Sequence, residues 1–148
     1  MFVLIVGCGR VGSAIAHSML AEGNEVSVLD EDPEAIALLD RRYSEGWEER
    51  GGRFTVGTAL EIDALLAAGI DQADAFVAST DGDNTNLVIA QIAQRRFNVT
   101  TVVVRVLDPA RAEFYASRGL RTVCPTSNAI SVLSEGVRAC EVRPKVRS

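Results

Sequence analysis

The chain has little of what side-chain catalysis usually needs. It has one histidine, His17, and three cysteines, Cys8, Cys124 and Cys140. The cysteine separations match neither a disulfide framework nor a metal site, and a reducing compartment is the simplest reading. Ser13, Ser79 and Ser127 lack a Gly-x-Ser-x-Gly elbow and a matching His–acid pair, which excludes hydrolysis of that type. No apolar run approaches the ~20 residues of a membrane-spanning helix. No basic segment precedes the first apolar run, so no signal peptide is expected. Solenoid-length repeats and low-complexity linkers are absent, and 148 residues suit a single domain. The net charge of -5 argues against sequence-independent binding to a nucleic-acid backbone.

The residues that are present form a globular core, with 47% of the chain hydrophobic. Phe2 to Val6 is apolar without alternation, the mark of a strand buried on both faces. Gly7-Cys-Gly-Arg-Val-Gly12 follows at once, and a helical pattern runs from Val11 to Glu22. Val11, Ile15 and either Ala14 or Met19 would form its inward stripe. Gly7 permits a tight turn, Gly9 lets backbone approach a pyrophosphate, and Gly12 lets the helix pack closely. The helix start directs free N–H groups and the positive dipole end at any ligand on the loop. The pattern alone is not specific; the strand before it, the helix after it and an acid ending the next strand make it so.

That next strand is Glu25–Asp30, read as alternating. Asp32-Pro33 opens a helix with Ala35, Ile36 and Leu39 inward. Tyr43 to Gly52 is polar and irregular, a loop or helix extension holding the single tryptophan, Trp47. Trp47 either packs over the sheet edge or meets a partner. Strands follow at Arg53–Gly57, Ala73–Ser79, Thr100–Val106 and Arg121–Cys124, and helices at Leu60–Ala68, Asn86–Arg96, Asp108–Ser117 and Thr126–Val137. Leu87, Ile89, Ala90 and Ala93 face the core, Thr80–Thr85 is a polar turn, and Thr126 or Ser127 caps the last helix. Alternating strands and helices mean βαβ units and a parallel sheet. The fold class is therefore α/β, a Rossmann-like doubly wound parallel sheet of about six strands in the order 3-2-1-4-5-6. Ligand would bind at the carboxyl ends of the strands, between strands 1 and 4.

Asp30 lies 18 positions after Gly12, near the ~20 expected for the acid that bonds an adenosine ribose. It could also serve as a turn residue, but Asp32 already fills the cap role. Glu31 and Asp32 follow it, and three acids argue against the 2′-phosphate of NADP. Gly57-Thr58-Ala59, Ser79–Asn84 and Arg105 converge on the same crevice. Arg105 interrupts a buried-type strand and needs an anion, either a ligand phosphate or Asp81. Arg10 either forks onto phosphate oxygens, of its own ligand or a neighbouring subunit's, or faces solvent. Cys8 at a helix N-terminus would have a lowered thiol pKa, or be simply a small packing residue. His17 reads as a surface or partly buried helix residue, Cys124 as core and Cys140 as a tail thiol.

Charge is uneven. Residues 1–74 hold 14 acids and 5 bases, and residues 75–148 hold 6 acids and 10 bases. Residues 138–148 form a basic tail with Arg138, Arg143, Lys145 and Arg147, expected to be a flexible, solvated end, with an acidic partner or membrane surface as the alternative.

Gly7–Gly12, Asp30-Glu-Asp-Pro33, Gly57-Thr-Ala59, Leu65-Leu-Ala-Ala-Gly-Ile70, Ser79-Thr-Asp-Gly-Asp-Asn-Thr-Asn86 and Val104-Arg-Val-Leu-Asp-Pro109 occur in that order. Together they resemble the N-terminal RCK domain, also called KTN or TrkA-N, over residues 1–137. The resemblance implies a cytoplasmic regulatory subunit, peripheral to the inner membrane through a potassium transporter or channel subunit. It implies binding of NAD(H) or of ATP, ADP or AMP, homodimers or higher rings, and no direct membrane insertion. Carried over, Gly7, Gly9, Arg10 and Gly12, with Cys8 and Val11 between them, hold phosphates. Asp30 and Glu31 hold the ribose, Thr58 and Ala59 flank the adenine, Thr80, Asp81 and Asn84 approach the distal part, and Arg105 looks toward the phosphates. The last helix would exchange between subunits, with Ser131, Val132 and Gly136 at the contact.

Thr58 stands where relatives usually carry an acid, and Pro125-Thr126 where they often have Pro-Glu. The segment from Tyr43 to Arg53 is longer than usual for the family, and the C-terminal RCK subdomain lies outside these 148 residues. Two other functions compete with nucleotide sensing: an NAD-dependent oxidoreductase module that needs a separate catalytic subunit, and a redox or interaction protein working through Cys8 or Cys140.

Overall fold

The structure is a computed structural model and describes residues 1–142 and 144. Six parallel strands form one sheet: β1 (Phe2–Val6), β2 (Glu25–Asp30), β3 (Arg53–Val56), β4 (Ala75–Ala78), β5 (Thr101–Arg105) and β6 (Arg121–Val123). Their order is β3-β2-β1-β4-β5-β6, as the alternation of strands and helices predicts. The helices are α1 (Arg10–Ala21), α2 (Ile36–Asp40), α3 (Ile62–Ala67), α4 (Asp83–Arg95), α5 (Pro109–Ser117) and α6 (Pro125–Arg138).

The chain runs outward from β1 in both directions, so right-handed crossovers place the helices of the two halves on opposite faces. The two cores record this. Val3, Ile5, Val26 and Val28 pack with Ala16 of α1, Leu39 of α2 and Trp47. Leu4, Val6, Phe76 and Val104 pack with Leu65 of α3, Leu87 and Ala90 of α4 and Ala112 of α5. All of β1 is buried, because it has strand neighbours on both sides and a core on both faces. β2 is likewise buried from Val26 to Leu29, so it does not present the solvent face that alternation predicts.

Several local readings change. On α1 Gly12, Ser13, Ala16 and His17 are buried, Ile15 and Met19 of the expected stripe are half-buried against the core, and Val11 and Ala14 are exposed. The first turn lies so close to the glycine loop that only a residue without a side chain, Gly12, fits beneath it. The helix after Asp32 divides into a 3-10 turn, Pro33–Ala35, and the short α2. Asp32 caps the turn by accepting from the Glu34 N–H at 2.9 Å. The cap of α6 is Cys124, whose sulfur accepts from the Ser127 N–H at 3.4 Å, rather than Thr126 or Ser127. α4 begins at Asp83, three residues before the expected start at Asn86.

Trp47 is fully buried, and its indole N–H donates to the Arg53 carbonyl on edge strand β3 at 3.0 Å. It is therefore core rather than a partner contact. α6 has no buried residue, and Ile130, Val132, Leu133 and Val137 are exposed on it. Arg138 ends α6, and residues 143 and 145–148 of the basic tail lie outside the described residues. No helix among the described residues is long and apolar enough to cross a membrane.

Candidate functional site

The loops after β1, β2, β3 and β4 open onto a cleft of about 1010 Å³ at the carboxyl end of the sheet. That is at the upper end of the ~300–1,000 Å³ common for ligand sites. It lies where the strand order reverses, between β1 and β4.

The glycine loop forms its floor. Gly7 has φ +99°, and a Cβ there would lie 2.7 Å from the Ser79 carbonyl carbon and the Thr80 nitrogen. A Cβ on Gly12 would lie 1.8 Å from the Gly7 carbonyl oxygen. These two positions let α1 and the β4 rim close on the loop. The loop is then held from both sides. The Ser79 N–H donates to the Val6 carbonyl at 2.8 Å, and the Ser79 hydroxyl lies 3.2 Å from the Val6 and Gly7 carbonyls. Across the cleft, Asp30 accepts from the Cys8 N–H at 2.7 Å and from the Asp32 N–H at 2.9 Å. Asp30 thus ties the loop to the end of β2 while its carboxylate lines the cleft.

Gly9 stands at the N-cap of α1 with no side chain to cap the first turn, and no acid occupies that turn. Its unpaired N–H groups and the exposed Arg10 make this end of the cleft positive. Asp30, Glu31, Asp32 and Glu34 make the β2 side negative. The arrangement suits a ligand with phosphate in the middle and hydroxyl donors at one end.

On the β4 side, buried Asn86 satisfies all its polar atoms. Its carbonyl accepts from the Thr80 N–H at 2.9 Å and the Thr80 hydroxyl at 2.6 Å. Its amide donates to the Thr80 carbonyl at 2.9 Å and the Arg105 carbonyl at 3.0 Å. Arg105 donates to the Thr80 carbonyl at 2.5 Å and pairs with exposed Asp81 at 3.3 Å. Its Nε is buried and unpartnered. Arg105 therefore has the Asp81 partner expected of it and still lines the cleft.

Gly7, Cys8, Gly9, Arg10, Val11, Asp30, Glu31, Thr58, Ala59, Thr80, Asp81 and Arg105 all line this cleft. Gly12 does not; it lies behind the loop as a packing residue. Asn84 is also outside. The early start of α4 turns its amide carbonyl to Arg111, which donates to it at 2.7 Å. Asp83 likewise braces the next loop, accepting from the Leu107 and Asp108 N–H groups at 2.8 and 3.0 Å.

Cys8 is a buried packing residue in the core beneath α1 and does not have the lowered thiol pKa that its place at a helix N-terminus suggests. Its thiol is turned away from the helix end toward the Ala35 carbonyl, 3.4 Å away. Burial, and secondarily the Asp30 charge, push its pKa up to about 12. Cys124, despite a desolvation that works the other way, is held below the ordinary thiol range by hydrogen bonds from Ser127 and Thr126. Sequence reading missed Asn86 and the cleft residues Leu38 and Arg41 at and after α2. Asn86 sits three residues into α4 at the end of the polar run Asp83-Asn-Thr-Asn86, where nothing in the sequence sets it apart from its neighbours.

Fold and cleft together define a nucleotide-binding domain of the Rossmann class. The chain matches the TrkA-N domain over residues 3–125 and belongs to that family. It is 41% identical over 123 residues to the Trk system potassium uptake protein TrkA of Streptomyces coelicolor, covering 83% of this chain and 52% of that protein. The chain thus spans about half the length of that relative. Among solved structures it is similar to the TrkA-N domain of the inner membrane protein ybaL from Escherichia coli. The TM-score is 0.76 at 19% identity, over 92% of this chain and 96% of that one. It is also similar to the Shewanella denitrificans Kef CTD in AMP bound form, with TM-score 0.74 at 23% identity, over 95% and 84% of the two chains. At these identities the two solved structures support the fold alone.

Proposed function

We propose that this domain is the nucleotide-sensing part of a regulator of potassium uptake, acting at the cytoplasmic face of a membrane transporter or channel subunit. The observation that carries the reading is Asp30. Its carboxylate is fixed by two backbone N–H groups at the cleft wall, directly across from the uncapped first turn of α1. That pairing suits an adenosine ribose and its phosphates, and the acids around Asp30 disfavour a 2′-phosphate. The ligand is NAD(H), ATP, ADP or AMP; that the Kef neighbour is in AMP bound form supports an adenine nucleotide. Sensing requires only that two such ligands stabilise different conformations. The exposed apolar residues of α6 fit a homodimer or larger ring, and a potassium-transport partner is supported by the Streptomyces coelicolor relative.

Titration calorimetry with NAD⁺, NADH, ATP, ADP and AMP tests the reading. At least one should bind, and Asp30→Ala should weaken it at least tenfold. Binding by none of the five would overturn the proposal.

A further inference from the structure

Arg105 and Asp81 form an ion pair on the β4 side of the cleft, and its two members are held very differently. The Arg105 side chain is only 17% exposed. Its Nη2 donates to the Thr80 carbonyl at 2.5 Å. The Arg105 carbonyl accepts from the Asn86 amide at 3.0 Å, and Asn86 holds Thr80 by three further bonds. The guanidinium is therefore fixed by β5, α4 and the end of β4 together. Asp81 is not. Its side chain is fully exposed, and its one side-chain bond among the described residues is to Arg105 Nη2 at 3.3 Å. An ion pair with one member in open water is weak and easily exchanged. Asp81 is the partner that can leave.

The glycine loop is close by. A Cβ on Gly7 would lie 2.7 Å from the Thr80 nitrogen, and the Thr80 carbonyl is where Arg105 is anchored. One residue, Thr80, thus separates the loop from the guanidinium, and all three line the cleft. The Nε of Arg105 is buried and closed to a ligand. Its Nη1 is neither bonded nor buried among the described residues, so that donor is open. A phosphate group accepts from a guanidinium through two oxygens at once, whereas Asp81 reaches it through one.

We propose that Asp81 is a specificity-determining residue that competes with the ligand for Arg105, so that the cleft selects a ligand with a second phosphate able to take its place. The inference rests on the phosphate-binding reading of the cleft given above. The first phosphate lies on the glycine loop. The second accepts from Nη1 and Nη2 of Arg105 and releases Asp81 to water. AMP has no second phosphate and leaves the pair intact; ADP, ATP and NAD(H) have one. Asp81 then acts against binding, where its resemblance to family positions implies a contact to the ligand.

The test is calorimetry on the full chain with sodium pyrophosphate, ADP and AMP. Asp81 is exposed, so Asp81→Asn should fold as the wild type does. It should bind pyrophosphate and ADP more tightly, by up to about fivefold, the most that an exposed ion pair contributes. The gain for AMP should be smaller. Glu34→Gln deletes an equal charge from the opposite wall and should gain less than Asp81→Asn. With Arg105→Gln already in place, Asp81→Asn should gain nothing; if that double variant does not fold, the Glu34→Gln comparison decides. Weaker or unchanged binding in Asp81→Asn, an equal gain for AMP, or an equal gain in Glu34→Gln would overturn the proposal. Pyrophosphate separates it from the nucleotide reading. If pyrophosphate binds with these gains and no nucleotide binds, the role of Asp81 stands and the nucleotide reading falls. If ADP binds but Asp81→Asn weakens it, the reverse holds, and if nothing binds both fall.

Discussion

Two glycines three residues apart should fail in opposite ways when each receives one methyl group. In Gly12→Ala the new Cβ would lie 1.8 Å from the Gly7 carbonyl oxygen, whereas real Cβ contacts stay above 3.0 Å. Either the loop or α1 must move by more than 1 Å, a distance set by those two values. The loop cannot move so far and keep the Gly7 N–H on the Leu29 carbonyl at 2.9 Å and the Cys8 N–H on Asp30 at 2.7 Å. Overpacking costs about 1–3 kcal/mol. Losing the neutral bond adds about 1 kcal/mol and losing the bond to the carboxylate about 1.5–3 kcal/mol. The expected loss is about 3.5–7 kcal/mol, a large share of the ~5–15 kcal/mol that holds a domain folded. Gly9 is different. Its φ of -85° and ψ of -160° suit alanine, and a Cβ there meets nothing within 4 Å. Gly9→Ala should therefore keep or gain stability, by about 0.4–1 kcal/mol, through a less flexible unfolded chain. The open space that its methyl enters is the cleft. If phosphate comes up against that backbone, the methyl removes at least one charge-assisted hydrogen bond, about 1.5–3 kcal/mol. Affinity then falls about 10- to 100-fold. Urea unfolding and calorimetry on the two variants separate the effects. A Gly9→Ala protein that binds every nucleotide as tightly as wild type would refute the idea that a phosphate sits on this loop.

The folded-state pKa of His17 is lowered, first by burial and then by Arg42 and Arg50, although the nearby Leu38 carbonyl works the other way. A lowered histidine pKa means the unfolded chain binds the proton more readily. Stability should be full above the unfolded value of about 6.5 and fall as pH drops below it, by up to about 1.4 kcal/mol per pH unit. Urea unfolding between pH 8 and pH 5 should show this slope, and His17→Gln should lack it. Cys8, with its thiol pushed up to about 12, should resist a thiol reagent at pH 8 in the native protein. Exposed Cys140 should react first, and labelling of Cys8 before unfolding would contradict its buried placement. Arg10→Ala should weaken ATP more than NAD⁺, because a terminal phosphate gains most from the exposed guanidinium at the mouth of the loop; equal losses in calorimetry would count against that role.

Much of the fold was legible because its signals are local. A doubly buried strand needs an unbroken apolar run, and Phe2–Val6 is one. A left-handed turn under a close-packed helix needs glycine, and Gly7 and Gly12 are both required by contacts under 3 Å. Asp108-Pro109 predicts the start of α5, and Asp108 accepts from the Arg111 N–H at 2.8 Å. Errors came where a helix register was inferred from apolar spacing. On α1 the fully buried positions are Gly12, Ser13, Ala16 and His17, while Ile15 and Met19 of the apolar stripe pack only at the edge of the core. On α4 a start three residues early placed Asn84 beside Arg111, outside the cleft.

What stayed hidden depends on which distant segment covers a residue, and no periodicity carries that information. His17 is buried because Tyr43 and Trp47, from an irregular stretch, pack against its ring. Asn86 matters because its side chain can close four hydrogen bonds between β4 and β5 only when those strand ends are adjacent. Asp30 joins the two kinds of signal. Its spacing from the glycines marks it as a ribose acid, yet in the fold it first stabilises the loop, through the Cys8 N–H, and the turn after β2, through the Asp32 N–H. A carboxylate fixed in this way cannot shift to greet a ligand without disturbing both segments. The same two bonds that orient Asp30 toward the cleft therefore also connect the state of the cleft to β2 and the glycine loop.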